Sequence, residues 1–203
     1  KDINEERFTF DETKRLLATL FSKSIDTLKQ DHDKKKVECL KTVVTHLVEK
    51  FFDEKSGLSD AIFFPGEEGE RRLIKYLNMA TKTLDICVFT ISNDRIAQAV
   101  ENLHKKGVAV RIITDDETTK NKGSDVQHLA GIGIPTRTDN DAKVHMHNKF
   151  AIIDNKILIT GSFNWTWQAV KSNQENLIIV EKPDLVQRFK ESFEKLWNQF
   201  KNN

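Results

Sequence analysis

Apolar positions recur along this 203-residue chain with two different periods, and the change between them divides it. Over residues 11–30, Leu16, Leu17, Leu20, Phe21, Ile25 and Leu28 fall on one stripe of a 3.6-residue helix, with Asp11 as its candidate cap. A polar break, Asp31-His32-Asp33-Lys34-Lys35-Lys36, follows and reads as a solvated loop. Residues 37–52 then carry Val37, Leu40, Val43, Val44, Leu47, Val48, Phe51 and Phe52 at helical spacing. Two such stripes with a short linker predict an N-terminal helical hairpin extension over residues 1–58. Its plain role is to pack on the rest of the chain. Its sharper role is to dock a partner or steady a dimer.

Ser56-Gly57-Leu58-Ser59 marks the boundary, and a second domain over residues 59–203 alternates strand and helix. Strands are predicted at 61–64, 84–90, 108–114, 135–138 and 177–181, and helices at 66–80, 93–106, 124–130 and 183–200. A helical turn is expected over 165–171. Asn93 serves as a cap, Gly107 as a stop, and Pro183 sits in a first turn. Between 144 and 160 the residues are rich in Val, Ile, Phe and Leu, broken only at Asp154-Asn155-Lys156, which predicts a central hairpin. Alternation of this kind implies an α/β fold, a sandwich with helices on both faces of the sheet.

Composition narrows the picture less. The net charge of +1 comes from abundant charges of mixed sign, which is not the balance of a strongly basic nucleic-acid protein. Two cysteines, Cys39 and Cys87, are too few for a disulfide framework or a cysteine-rich zinc site. No run of about 18 apolar residues occurs. The chain starts at Lys1 without a Met, as a processed or excised form would.

The chemistry concentrates in the hairpin. With Asn155 and Lys156 as a two-residue turn, Asp154 faces Ile157, Lys149 faces Ser162 and His147 faces Asn164. Directly opposed residues lie about 5 Å apart at Cβ, so His147, Lys149, Ser162 and Asn164 form a polar quartet at the end of an apolar hairpin. Lys149 supplies a fixed cation and Ser162 and Asn164 neutral donors, a set suited to phosphate oxygens. Imidazole can attack as a nucleophile or move protons near neutral pH. Such a His needs an acceptor on its other nitrogen, and Glu175, just before a strand, is the candidate. His145-x-His147 as a metal pair is weaker, because no third and fourth ligand stand at a recognisable spacing.

His147-x-Lys149-(x4)-Asp154, followed by Gly161-Ser162-x-Asn164 and then Glu175-Asn176, resembles the HKD motif of the phospholipase D superfamily. From Phe63-Phe64-Pro65 to about Phe200 the chain is similar to the mitochondrial cardiolipin hydrolase/Zucchini branch, which carries one motif per chain. The resemblance implies that 59–203 is a phospholipase D-like catalytic domain, a sandwich of a mixed β-sheet with helices on both faces. It implies His147 as the nucleophile forming a phosphohistidine, Lys149 and Asn164 on phosphate with Ser162 nearby, Glu175 orienting His147, and Asp154 in a supporting role. It implies no cofactor and no metal. Because the chemistry needs one histidine to attack and another to protonate, it also implies a homodimer with the active site across the two-fold interface.

Asn148 departs from the branch, whose members often carry a second His there, and helices stand where some carry a zinc finger. The loop 115–124, with Lys120 and Lys122, follows a core strand and is expected to line the mouth, as are Lys143 and Lys171. Trp165, with Phe163 and Trp167, flanks the site and is a candidate substrate contact. The expected activity is cleavage of single-stranded nucleic acid, RNA before DNA. The alternatives are cardiolipin hydrolysis and a non-catalytic interaction module. The resemblance further implies the mitochondrial outer-membrane surface, reached through a membrane-anchoring segment absent from this chain.

Overall fold

The computed structural model describes residues 10–52, 57–119, 124–139 and 145–201. The chain divides into two compact units, Lys1–Ser56 and Gly57–Asn203. The first holds helices α1 (Phe10–Thr27) and α2 (Asp31–Phe52). The polar break predicted at 31–36 is instead the start of α2. Asp31 and Asp33 favour the positive end of the helix dipole, and Lys35 and Lys36 sit one turn on, 4.0 and 3.7 Å from them. The break shrinks to residues 28–30. Asp11 lies inside the first turn of α1 and not before it. Leu17, Phe21 and Ile25 are half-buried, while Leu16, Leu20, Leu40 and Val43 stay about half exposed. No helix among the described residues is long and apolar enough to cross a membrane.

The second unit follows the predicted alternation. In chain order it has β1 (Ser59–Phe64), α3 (Glu67–Leu77), β2 (Thr83–Val88), β3 (Ile91–Ser92), α4 (Asp94–Lys105) and β4 (Ala109–Thr114). Then come α5 (Asp116–Thr119), α6 (Val126–Gly131), β5 (Thr136–Thr138), β6 (Lys149–Ile153) and β7 (Ile157–Gly161). It ends with β8 (Trp165–Thr166), α7 (Trp167–Lys171), β9 (Glu175–Val180) and α8 (Pro183–Gln199). Asn93 caps α4 as expected, its side chain accepting from the Arg95 and Ile96 amides at 3.1 Å.

Among the described residues the main sheet runs β1-β9-β7-β6-β2-β4-β5. The β2–β4 and β4–β5 pairs are parallel and the rest antiparallel. Strand alternation sends Ala151 and Ile153 of β6 to one side, where α3, α4, α6 and α7 pack. It sends Phe150 and Ile152 to the other, against Val186 and Phe193 of α8. Helices therefore cover both faces, and β6 lies in the middle of the sheet. A buried charge is matched on the α8 side: Asp85, 1% exposed, takes Arg111 Nε at 2.7 Å and Lys190 Nζ at 2.6 Å.

The hairpin register differs from the sequence expectation by one residue. Ile153 pairs with Ile157 and Phe150 with Thr160, so the turn has three residues, Asp154, Asn155 and Lys156. Asp154 and Asn155 adopt positive φ (53° and 52°), which Asp and Asn tolerate better than most residues. The cause is tertiary. The Asp154 carboxylate is taken by the backbone N–H groups of Thr81, Lys82 and Thr83 at 2.8–2.9 Å and by Thr81 Oγ1 at 2.7 Å. That grip rotates Asp154 out of the ladder, and it no longer opposes Ile157.

Candidate active site

The site is assembled where β2 and β6 end together. Val88 is paired with Lys149, and the Phe89 amide donates to the Asn148 carbonyl at 3.0 Å. Residues 145–148 are not in the ladder but are anchored from the middle. Met146 is 4% exposed, its sulfur 3.4 Å from Cys87 Sγ, and its amide donates to Asp139 at 2.7 Å. With Met146 turned inward, His145 and His147 on either side of it are exposed. Both imidazoles lean on the Phe89 ring, with centroids 5.9 and 4.7 Å away.

Lys149 Nζ donates to the His147 carbonyl at 2.8 Å and lies 4.9 Å from the centre of the same ring. Burial lowers the Lys149 pKa, opposed by the carboxylates of Glu175 and Asp115. Burial also lowers that of His147, reinforced by Lys149 and His145. The lowering favours the unprotonated ring, the form whose lone pair can attack. Lys149→Met removes one of these causes, so the His147 ring is expected to titrate at higher pH in that variant. Histidine-resolved NMR of the two proteins reads the displacement, and an unmoved titration would deny that Lys149 sets it.

His145 behaves oppositely. Its Nδ1 lies 2.9 Å from Oδ2 of Asp115, which is 0% exposed at the end of β4. The hydrogen bond to Asp115 raises the His145 pKa against a smaller loss from burial, with Glu117 and Asp139 adding to it. Sequence reasoning missed this pair and the Phe89 ring beneath both histidines. The signal was present in an acidic residue at the C-terminal end of a parallel strand, where α/β clefts are built. Ligand atoms of Asp115, Glu117 and His145 lie within 4.8 Å of one another. Asp115 is already engaged with His145 and with the Glu117 amide at 3.1 Å, so the set reads as a hydrogen-bonded pair holding His145.

The remaining expected residues divide. Glu175 opens β9 near Lys149, but its carboxylate accepts from Asn173 Nδ2 at 3.2 Å and not from His147. Ser162 does not oppose Lys149, because the shifted register ends the ladder at Phe150 and Thr160. It zips instead to β9: its amide donates to the Asn176 carbonyl at 3.1 Å, and its Oγ accepts from the Asn176 amide at 3.1 Å. Gly161 permits that approach, since a Cβ there would sit 2.2 Å from the Asn176 oxygen. Asn164 comes beside the site because the Trp165 amide donates to the Thr90 carbonyl, one residue from Phe89. Its Oδ1 is buried with no hydrogen-bond partner, a cost of about 1–3 kcal/mol that only a hydrogen-bond donor can relieve, while its Nδ2 is the group able to donate to a phosphate oxygen.

Asp154, expected in a supporting role, stands at the opposite end of β6 from Lys149, about 16 Å along an extended strand, where it holds the backbone of 81–83 and is too far for a direct part in the chemistry. One expectation is corrected. Trp165 is 1% exposed in the core with Phe163, so it offers no face to a substrate; the exposed indole is Trp167, at 56%. Lys120, Lys122 and Lys143 lie outside the described residues. Lys171 is paired with Glu67 and lies 4.7 Å from the centre of the Trp167 ring.

Residues 73–197 match the family model described as "Cardiolipin synthase, PLD-like domain". The chain is similar to the mitochondrial cardiolipin hydrolase of Chlamydomonas reinhardtii, 52% identical over 130 residues, covering 64% of this chain and 58% of that one. The Homo sapiens mitochondrial cardiolipin hydrolase is 44% identical over 135 residues, with 66% and 53% covered. The chain thus spans a little over half the length of these relatives. Among solved structures, Nuc of Salmonella typhimurium, a phospholipase D family member, superposes with a TM-score of 0.64 at 29% identity, covering 70% of this chain and 95% of Nuc. NucT of Helicobacter pylori shares the fold, with a TM-score of 0.60 at 24% identity, covering 70% of this chain and 98% of NucT. The family model takes in more than half of the chain, including every described residue of the His147–Lys149 site, and on that ground the chain belongs to the phospholipase D-like family.

Proposed function

We propose that this chain is a metal-independent phosphodiesterase that cleaves single-stranded nucleic acid, RNA in preference to DNA, through a phosphohistidine intermediate. The observation that carries the reading is the placement of His147 and Lys149 together over one aromatic ring, inside a phospholipase D-like fold. In the first step a ring nitrogen of His147 attacks phosphorus while the bond to the leaving oxygen breaks. A second, protonated imidazole gives that oxygen its proton. In the second step this imidazole takes a proton from water, the water oxygen bonds to phosphorus, and the phosphorus–nitrogen bond breaks. Lys149 and Asn164 hold the non-bridging oxygens, Ser162 stands nearby, and Glu175 moves onto His147 as its ring becomes charged. The second imidazole is the partner subunit's His147, supplied across the two-fold axis of a homodimer.

Cardiolipin hydrolysis is the second reading. The relatives' name favours it, as does one feature of the sheet: Phe63 and Ile178 on neighbouring strands β1 and β9 are 73% and 48% exposed. The same name is the ground for placing the protein at the mitochondrion; its outer-membrane surface is what the family resemblance adds. A purely non-catalytic module is disfavoured, because an idle site has no reason to keep His147, Lys149, Asn164 and Glu175, with the desolvation that burial of Lys149 costs.

The test is cleavage of labelled single-stranded RNA and DNA in excess chelator, with cardiolipin vesicles in parallel. Chelator-resistant cutting of RNA supports the proposal, and lipid turnover without nucleic-acid cutting replaces it with the second reading. The active species is expected to sediment as a dimer. Full activity in a species that sediments as a monomer would remove the shared site.

A further inference from the structure

Where the β3–β8 ladder ends lies a cavity that the chemistry above does not use. It measures about 260 Å³ and is lined by Ser92, Asn93, Asp94, Arg95 and Trp167. Pockets that enclose a whole small molecule run to roughly 300–1,000 Å³, so this one suits a single flat ring system. Its place in the fold is fixed from two directions. The small ladder of β3 and β8 pairs Ser92 with Thr166, directly before Trp167. The same stretch begins at Phe89, the ring on which His147 lies, and Trp165 is bonded to Thr90. The cavity therefore opens three residues along the chain from the ring that holds the nucleophile.

Trp167 is prepared as a platform. It is the first residue of α7, whose start is capped by Thr166 Oγ1 accepting from the Ala169 amide at 3.1 Å. Ala169 and Val170 are buried in the core and anchor the short helix. Lys171 Nζ lies 4.7 Å from the indole centre and is itself held by Glu67. An indole 56% exposed yet this constrained loses little freedom when a flat partner stacks on it. The rest of the lining is equally set: Arg95, 62% exposed, is bonded to Glu70 at 2.9 Å, and Glu70, 1% exposed, also accepts from Asn93 Nδ2 at 2.7 Å. Asn93 is 2% exposed and engaged in these bonds and in capping α4, which leaves Ser92, Asp94 and Arg95 to face a ligand's polar edge.

We propose that this cavity is a nucleobase subsite, in which an unpaired base next to the scissile phosphate stacks on Trp167 with its polar edge toward Ser92, Asp94 and Arg95. The inference rests on the nucleic-acid reading of the His147 site and gives it a physical reason to require single strands, since a base in a duplex has no free face. Stacking of a base on an aromatic side chain is sequence-tolerant, so strand state matters here more than sequence.

The test separates the base from the backbone. In the His147→Ala protein, which cannot turn over substrate, a single-stranded oligothymidylate is expected to bind about tenfold more tightly than an abasic strand of equal length and to quench tryptophan fluorescence. Trp167→Leu in that background should bring the two affinities together and remove the quench, and Trp167→Phe should restore most of the preference. A preference that survives Trp167→Leu, or equal weakening of both strands, overturns the subsite. So does loss of binding confined to cardiolipin vesicles, which would make Trp167 a membrane contact. The two proposals fail differently. Base-dependent binding in a protein whose wild type cuts no RNA keeps the subsite and sinks the nuclease, whereas RNA cutting indifferent to Trp167 does the reverse.

Discussion

His147→Ala is expected to lower phosphodiester hydrolysis by about 10⁴-fold or more while leaving the fold intact. The side chain is exposed and, among the described residues, its ring contact is with Phe89, so its removal opens no core cavity. What disappears is the only group proposed to form the covalent intermediate, and Lys149 cannot replace it, because its amine is bonded to a carbonyl and tied by its position at the strand end. Folding is checked by an unchanged urea midpoint, and turnover by the chelator assay. Activity surviving in purified protein would remove the mechanism. Mixing extends the result. If each site takes one imidazole from each chain, exchanging wild type with His147→Ala protein at constant total concentration lowers activity as the square of the wild-type fraction. A linear fall would mean that each chain works alone.

The second large effect falls on stability. Asp154→Ala is expected to cost about 2–4 kcal/mol, because it strips three backbone N–H groups and one hydroxyl of a charged acceptor and places Ala at positive φ. Urea unfolding at constant slope measures it. Asp154→Asn tolerates the same backbone and should lose less. Burial pushes the Asp154 carboxyl up, but the bonds from Thr83, Thr81 and Lys82 together hold it below the usual range. A depressed carboxyl contributes stability that is present above its unfolded pKa of about 3.9 and is lost as pH falls through the lower folded value. Wild type should therefore lose stability below about pH 4, and Asp154→Asn should show a flatter profile there. Parallel profiles would deny the carboxylate this role.

These two residues mark what the sequence could and could not say. The strand–helix alternation was legible because each element carries its own period, and the Asn93 cap because capping is local chemistry. The His147–Lys149 pairing on one strand end was legible from spacing alone. The hairpin register was not, since a distant loop at residues 81–83 decides whether Asp154 joins the ladder or leaves it. That single choice moved Ser162 from opposite Lys149 to β9. Nor was the partner of His145 legible, because Asp115 meets it across 30 residues of chain. Trp165 and Trp167 look alike in sequence, and only the β3–β8 ladder makes one core and the other surface.

The two thiols differ as sharply as the two indoles. Cys87 is fully buried and burial pushes its thiol well above the ordinary range, so it is inert, whereas Cys39 lies exposed on α2. In air, Cys39 of one molecule can oxidise onto Cys39 of another and yield a covalent pair that has nothing to do with a shared catalytic centre. Such a pair would imitate the two-fold assembly on a sizing column and resist dilution. Measurements of assembly state therefore belong in reductant or in Cys39→Ser protein, where any dimer that remains is held by its surfaces.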